Sequence, residues 1–168
     1  VNVEKIQAYY AARPHYWRAL HIRRWITVFP LLESATSILD VGCGYGDLAW
    51  VLAENGVRVP FTGIDLVPEH IAWCRTHMTG PKWILGDIFT EEFPGESFDS
   101  VVSICCLSGE GHDEPSVAPL IAKMWRLATR QVILLENAFL DSIRATCQLY
   151  PGYIRNTGAG EVLVWLSH

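Results

Sequence analysis

The chain lacks any apolar run near the ~20 residues that a membrane-spanning helix needs. Its longest apolar stretches, such as Val132 to Leu135, have strand length. It has no C-x-x-C pair, and its cysteines are odd in number: Cys43, Cys74, Cys105, Cys106 and Cys147. Both features speak against a disulfide framework or a structural zinc site. They predict reduced, mostly buried thiols in a cytoplasmic protein. Residues 1–30 carry charges throughout, without an uninterrupted apolar segment, so no secretion signal is expected. Repeats, Ser/Gly linkers and low-complexity segments are absent. The 13 glycines and 9 prolines are near ordinary usage, which excludes a collagen-like fibre. Charged residues make up only 18% of the chain, which excludes an intrinsically disordered polymer.

What is present is apolar. Half of the 168 residues are hydrophobic, and the mean hydropathy is +0.18. With no membrane helix in prospect, that value predicts a single domain, residues 1–168, around a sheet buried on both faces. The net charge of −5 is unevenly spread. Residues 1–30 hold five basic residues (Lys5, Arg13, Arg18, Arg23 and Arg24) against the single acid Glu4. The acidic remainder does not favour nucleic acid, whose binding rests on neutralising phosphates.

Short apolar runs alternate with helical stretches. Two helices, about 3–12 and 15–29, form an N-terminal arm, broken near Pro14 because a residue preceding proline avoids the helical region. Strands are expected at Ile38–Val41, Val59–Asp65, Lys82–Leu85, Phe98–Cys105 and Gln131–Glu136. Helices are expected at Asp47–Asn55, Pro68 to about Met78, Pro115–Thr129 and Ala138–Leu149. Tyr153–Thr157 and Glu161–Leu166 then read as a hairpin across Gly158-Ala159-Gly160. The fold class is α/β: a doubly wound, mostly parallel seven-stranded sheet with a C-terminal antiparallel hairpin and an N-terminal helical arm. Ligands of such sheets bind beyond the carboxyl ends of the strands.

After the first strand the chain reads Leu39-Asp40-Val41-Gly42-Cys43-Gly44-Tyr45-Gly46-Asp47. Three alternating glycines leave a wall without side chains, so a ligand can approach the backbone and the N-terminus of the next helix. A tight strand-to-helix turn would look the same. Two further acids add weight. Asp65 ends the second strand, where a carboxylate accepts hydrogen bonds from two ribose hydroxyls. Asp87 follows the third, in Gly86-Asp87-Ile88, where it can accept from the exocyclic amine of an adenine bracketed by Ile88 and Leu66. Singly, each would be an ordinary solvated strand-end acid.

With these residues the sequence resembles the class I S-adenosylmethionine-dependent methyltransferases, over about residues 30–168. The resemblance rests on D-x-G-x-G-x-G at Asp40–Gly46, the acid Asp65, the Gly86-Asp87 pair, the Ser97-Phe98-Asp99-Ser100-Val101 start of the fourth strand, and the closing hairpin. It implies a Rossmann-like methyltransferase fold with S-adenosylmethionine as cofactor. It implies that Gly42, Cys43 and Gly44 line the methionine end by backbone, joined by backbone around Cys105. Asp40 would hold the cofactor's amino group directly or through water, Asp65 its ribose, and Asp87 and Ile88 its adenine. Asp99 would be structural. A nicotinamide dehydrogenase is the rival, with G-x-G-x-x-G and an acid ~20 residues on. The spacing of Gly42, Gly44 and Gly46, with Asp47 following, decides against it.

The loop Cys105–Pro115 after the fourth strand would face the acceptor. His112 is the candidate general base, with Glu110 or Asp113 orienting it. The competing reading is a solvated loop with Asp113 as a helix cap. No second ligand cluster accompanies His112 and Asp113, so no metal is expected. Cys105 or Cys106 as a nucleophile would need a lowered thiol pKa; buried core thiols are the alternative. The Asn/Asp-Pro-Pro-aromatic run of amino-methylating nucleobase enzymes is absent. Within the arm, Tyr10 and Arg13 are candidates to close over the cofactor as a lid, while Tyr9, Tyr16, Trp17 and Trp25 read mainly as packing. Only one helix separates the fifth strand from the hairpin, which predicts an open acceptor site, suited to a bulky acceptor or to completion by a protein partner.

The expected function is methyl transfer to an unidentified acceptor, most simply a small molecule, with no membrane involvement. The alternative is a catalytically silent cofactor-binding scaffold or partner subunit. An RNA or protein methyltransferase is a lesser alternative.

Overall fold

The computed structural model describes residues 24, 27–95, 97–107, 113–157 and 160–168. The expected first arm helix and most of the second lie outside these residues, as do Tyr10, Arg13 and His112. Residue 24 and residues 27–32 are helical, so the second arm helix runs past Phe29, where the sequence reading ended it. The elements that follow are β1 (Ile38–Val41), α1 (Asp47–Glu54), β2 (Phe61–Asp65), α2 (Pro68–His77), β3 (Lys82–Leu85) and β4 (Phe98–Ile104). After a 3-10 turn at Glu114–Ser116 come α3 (Val117–Leu127), β5 (Ala128–Glu136), α4 (Leu140–Cys147), β6 (Gly152–Asn156) and β7 (Val162–Ser167).

The seven strands of the described residues form one sheet, in the order β3-β2-β1-β4-β5-β7-β6. The first five are parallel, and β7 runs antiparallel between β5 and β6. Strand order reverses between β1 and β4, so the loops after those two strands flank the crevice where ligands of such sheets sit. β1 and β2 are buried along their whole length, as expected of interior parallel strands covered on both sides. Alternation then sorts the core. Leu39, Val101 and Leu134 pack with Leu120 and Met124 of α3 and Ile143 of α4. Ile38, Val102 and Ile133 pack on the other face with Leu48 of α1, Ile71 of α2, and Val28 and Leu32 of the arm helix.

Several boundaries depart from the sequence reading, each for a local reason. β2 starts at Phe61 rather than Val59, because Pro60 has no N–H for the ladder; its carbonyl instead accepts from Ile38 N–H at 2.9 Å. β5 starts at Ala128 rather than Gln131, and α3 correspondingly stops at Leu127 rather than Thr129. Arg130 and Thr129 hold that early segment extended. Arg130 grips Asp99 with Nε and Nη2 at 2.7–3.0 Å, and Thr129 Oγ1 donates to Phe98 O at 3.2 Å. α4 begins two residues late, after Phe139 takes a left-handed φ of 52°. β4 ends at Ile104, because Cys105 also turns left-handed.

Asp99 thus has the structural place expected of it, at the opening end of β4. Burial raises its carboxyl pKa, but the Arg130 and Ser100 hydrogen bonds outweigh this and hold it below the usual range. Arg130→Ala should lower stability by about 1 kcal/mol, since the pair is partly solvated. Thermal melting should fall by a few degrees. Ligand affinity at the far end of the sheet should stay unchanged, as titration calorimetry would show.

Candidate functional site

The glycine loop after β1 is held by its own backbone. Gly42 N–H and Cys43 N–H both donate to Ile64 O, at 2.9 and 3.1 Å, and Gly46 N–H donates to Cys43 O at 2.9 Å. Gly42, Gly44 and Gly46 all have positive φ, between 53° and 73°. Their surroundings differ, which corrects the picture of a wall bare of side chains. A Cβ on Gly42 would lie 2.7 Å from Cys106 Sγ, and one on Gly46 would lie 2.8 Å from the Trp83 ring. A Cβ on Gly44 would meet nothing within 4 Å. Two of the glycines are therefore needed for packing. Gly44 alone borders open space.

Asp65, the last residue of β2, ties this loop to the next one. Its Oδ2 accepts Gly44 N–H at 2.7 Å, and its Oδ1 accepts Val67 N–H at 2.8 Å. His70 Nδ1 lies 3.2 Å from the same Oδ1. The carboxylate is only 8% exposed, and one of its roughly four acceptor positions is left over. His70, buried on the first turn of α2, also carries the Tyr45 ring at a centroid distance of 4.4 Å. Nothing in the helical pattern of α2 singled His70 out, because its role depends on the turn that brings α2 back over β2.

Asp40 lies within β1, on the Ile38 side of the sheet. It is 3% exposed, and no hydrogen bond joins its carboxyl to any described residue. Burial, then the nearby charges of Asp65 and Asp47, push its pKa up to about 8. A buried carboxyl without a partner is costly, and a cationic group beside it would relieve that cost.

The other predicted residues take separate places. Asp87 sits two residues beyond the end of β3, where its Oδ1 accepts Phe89 N–H at 2.9 Å, leaving it half-buried. Gly86 N–H donates to Asp65 O at 3.0 Å, so the β2 and β3 ends are joined. Ile88 is buried in the core against Phe93 and Phe98, and Leu66 is half-buried. Cys105 has a φ of 52°, and its N–H donates to Leu135 O at 2.8 Å.

The thiols do not suit nucleophilic work. Burial pushes Cys105 up to about 12 and Cys106 well above its ordinary value. Burial does the same to Cys43, and it raises Cys74 and Cys147 to about 12. All five cysteines are free, as expected. Among the described residues, no cluster could hold a metal ion, and no helix is long and apolar enough to cross a membrane.

Sequence reasoning missed Glu136, the last residue of β5. It is fully buried, and its Oε1 accepts Cys106 N–H at 2.9 Å and Leu107 N–H at 3.3 Å. Burial raises its pKa to about 8, against the opposing pull of those N–H groups, the Ser103 hydroxyl and Arg24. Arg24 of the arm pairs with Glu161 at 2.5 Å, just before β7. The signal was present: β5, like β2, ends on an acid.

Comparison with known proteins agrees with this architecture. Residues 32–163 match the family model described as a methyltransferase domain. Over 87 residues the chain is 31% identical to the S-adenosyl-L-methionine-dependent Diels-Alderase iliD of Neonectria sp., covering 52% of this chain and 32% of that protein. Over 69 residues it is 35% identical to a fatty-acid O-methyltransferase of Mycolicibacterium smegmatis, covering 40% of this chain and 25% of that one. The chain thus spans about a quarter to a third of the length of these curated relatives. Among solved structures, N-methyltransferase NodS of Bradyrhizobium japonicum WM9, in complex with S-adenosyl-l-homocysteine, superimposes with a TM-score of 0.73 at 18% identity. That match covers 99% of this chain and 96% of NodS. Magnesium protoporphyrin IX methyltransferase of Synechocystis PCC 6803 gives a TM-score of 0.66 at 17% identity, covering 92% of this chain and 79% of that one. The chain belongs to the methyltransferase-domain family, and its fold is that of the class I S-adenosylmethionine-dependent methyltransferases.

Proposed function

We propose that this protein binds S-adenosylmethionine and transfers its methyl group to a small-molecule acceptor. The observation that carries the reading is the pairing of Asp40 with Gly44. A buried carboxyl lacking a hydrogen-bond partner among the described residues stands near the end of β1, just before the loop whose Gly44, alone of its three glycines, opens onto free space. An ammonium group on a ligand entering beside Gly44 would supply the missing partner. Asp65 has an acceptor position left for a ribose hydroxyl, and Asp87 an oxygen left for an adenine amine. Cys43 and Cys105 would contribute backbone rather than thiol. Tyr10 and Arg13 are proposed as the closing lid, and His112 as the general base.

When bound, the cofactor supplies a methyl group already activated by its sulfonium. The chain then needs only to bring the acceptor atom into line, at about 3–3.5 Å. A base is required only for an acceptor that must lose a proton. Relatives named for acting on a fatty acid and on magnesium protoporphyrin IX support a small acceptor. We further propose a single domain working in the cytoplasm, with an acceptor site left open because α4 alone lies between β5 and β6.

One observation favours a second reading. A relative is named as an S-adenosyl-L-methionine-dependent Diels-Alderase, so this cofactor-binding fold also occurs in proteins named for chemistry other than methyl transfer. Cofactor binding without methylated product, over a broad panel of acceptors, would support a silent cofactor-binding role.

Both readings share one test. Asp65→Ala should weaken S-adenosylhomocysteine binding ten- to a hundredfold by titration calorimetry, since a charged acceptor is lost. Unchanged affinity in a variant that still melts cooperatively would overturn the ribose assignment.

A further inference from the structure

The turn Cys105–Leu107 is shaped from beneath. Cys105 holds a left-handed φ of 52°, a conformation that costs a non-glycine residue about 1–2 kcal/mol. Something must hold it there. Glu136 does so from the end of the neighbouring strand. Its Oε1 takes the N–H groups of Cys106 and Leu107 and the Ser103 hydroxyl at 2.9–3.4 Å, and its Oε2 takes Leu107 N–H at 3.3 Å. The turn in its fixed shape reaches the glycine loop, because Cys106 Sγ lies only 2.7 Å from where a Gly42 Cβ would be. Glu136 is thereby connected to both loops flanking the point where strand order reverses. The first connection is by direct hydrogen bonds, and the second runs through Cys106.

We propose that Glu136 is a positioning residue: it fixes the Cys105–Leu107 turn and, through Cys106, the Gly42 side of the glycine loop, in the shape required at the cofactor's methionine end. This rests on the cofactor-binding reading above. It makes no claim on the adenine end, which Asp87 and Leu66 would serve from the other side of the site. Glu136 touches neither ligand nor acceptor. It acts through backbone N–H groups, so its carbonyl-type oxygen matters more than its charge. An amide at this position can keep Oε1 and its three contacts, and gives up only the longer Oε2 contact to Leu107 N–H.

That geometry gives the test. Binding of S-adenosylhomocysteine and of methylthioadenosine, which lacks the amino-acid portion, is measured for the full chain and three variants. Glu136→Ala should weaken S-adenosylhomocysteine binding at least tenfold while leaving methylthioadenosine within about twofold. Glu136→Asp, which withdraws the carboxyl by one methylene, should show the same selective loss in smaller degree, and it serves if the alanine variant does not fold. Glu136→Gln should recover most of the affinity. Equal affinity for S-adenosylhomocysteine in all variants, or parallel loss of both ligands, would overturn the positioning role. If the unaltered chain binds neither ligand, the cofactor reading itself fails.

Discussion

Asp40→Asn should make the ligand-free protein more stable at pH 8 and less able to bind its cofactor. The carboxyl of Asp40 is raised to about 8, chiefly by burial and then by the charges of Asp65 and Asp47. An unfolded aspartate ionises near pH 4. Between those values the native state therefore holds a proton that the unfolded chain has released. Stability is fully present below pH 4 and is lost as pH rises through 8, with a limiting slope of about 1.4 kcal/mol per pH unit. Glu136, raised to about 8 by its own burial, adds a second contribution of the same sign. The unaltered protein should thus melt at progressively lower temperature from pH 5 to pH 8. Asn cannot ionise, so the variant should show roughly half that dependence and melt several degrees higher at pH 8. Binding should move the other way. An ammonium group pairs with the ionised carboxyl, so S-adenosylhomocysteine affinity should rise roughly twentyfold from pH 6 to 7.5 in the unaltered protein, in step with the ionised fraction. In the variant it should be at least tenfold weaker and nearly flat over that range. Calorimetry and melting curves at four pH values decide it. A variant no more stable at pH 8 would remove the buried-carboxylate argument, and unchanged affinity would remove the ammonium assignment.

The contrast between Asp40 and Glu136 shows how far the sequence could be read. The alternation of apolar runs is a local signal, so the strands, the sheet class and the closing hairpin were legible. The expected boundaries erred where a distant residue intervened. Arg130 prolongs β5 because Asp99, 31 residues away, is there to grip. The glycine loop and its acids were also legible, since Asp40, Asp65 and Asp87 stand within two residues of the ends of three successive strands. What the glycines are for was not. Cys106, Trp83 and Met78 crowd Gly42 and Gly46 from other strands and loops, and no spacing rule connects them. His70 was hidden for the same reason, as its partner Asp65 lies across a turn. Glu136 was legible in principle. The strand-end rule that found Asp65, carried on to β5, ends on it.

The glycine environments lead to a pair of variants with opposite expected phenotypes. Gly42→Ala places a Cβ 2.7 Å from Cys106 Sγ and 2.9 Å from its Cβ. Cys106 cannot retreat freely, because its N–H is held by Glu136 at 2.9 Å. The clash, added to the left-handed φ of 73°, should destabilise the fold by about 2–4 kcal/mol, read as a lowered denaturation midpoint. Gly44→Ala keeps only the backbone strain, since nothing lies within 4 Å of its new methyl group. Its stability should fall by about 1–2 kcal/mol. Its affinity for S-adenosylhomocysteine should fall at least thirtyfold, because the methyl group occupies the space through which a ligand reaches the loop. Some of that loss could come from a distorted loop rather than a filled space. Asp65 separates the two, as its Oδ2 accepts Gly44 N–H at 2.7 Å. If the loop keeps its shape, the Gly44 amide in the variant remains protected from hydrogen exchange while binding is lost. Retained binding in Gly44→Ala would mean that the ligand does not approach this glycine. Gly44 would then be present only for its backbone conformation, and the open space beside it would have no part in cofactor binding.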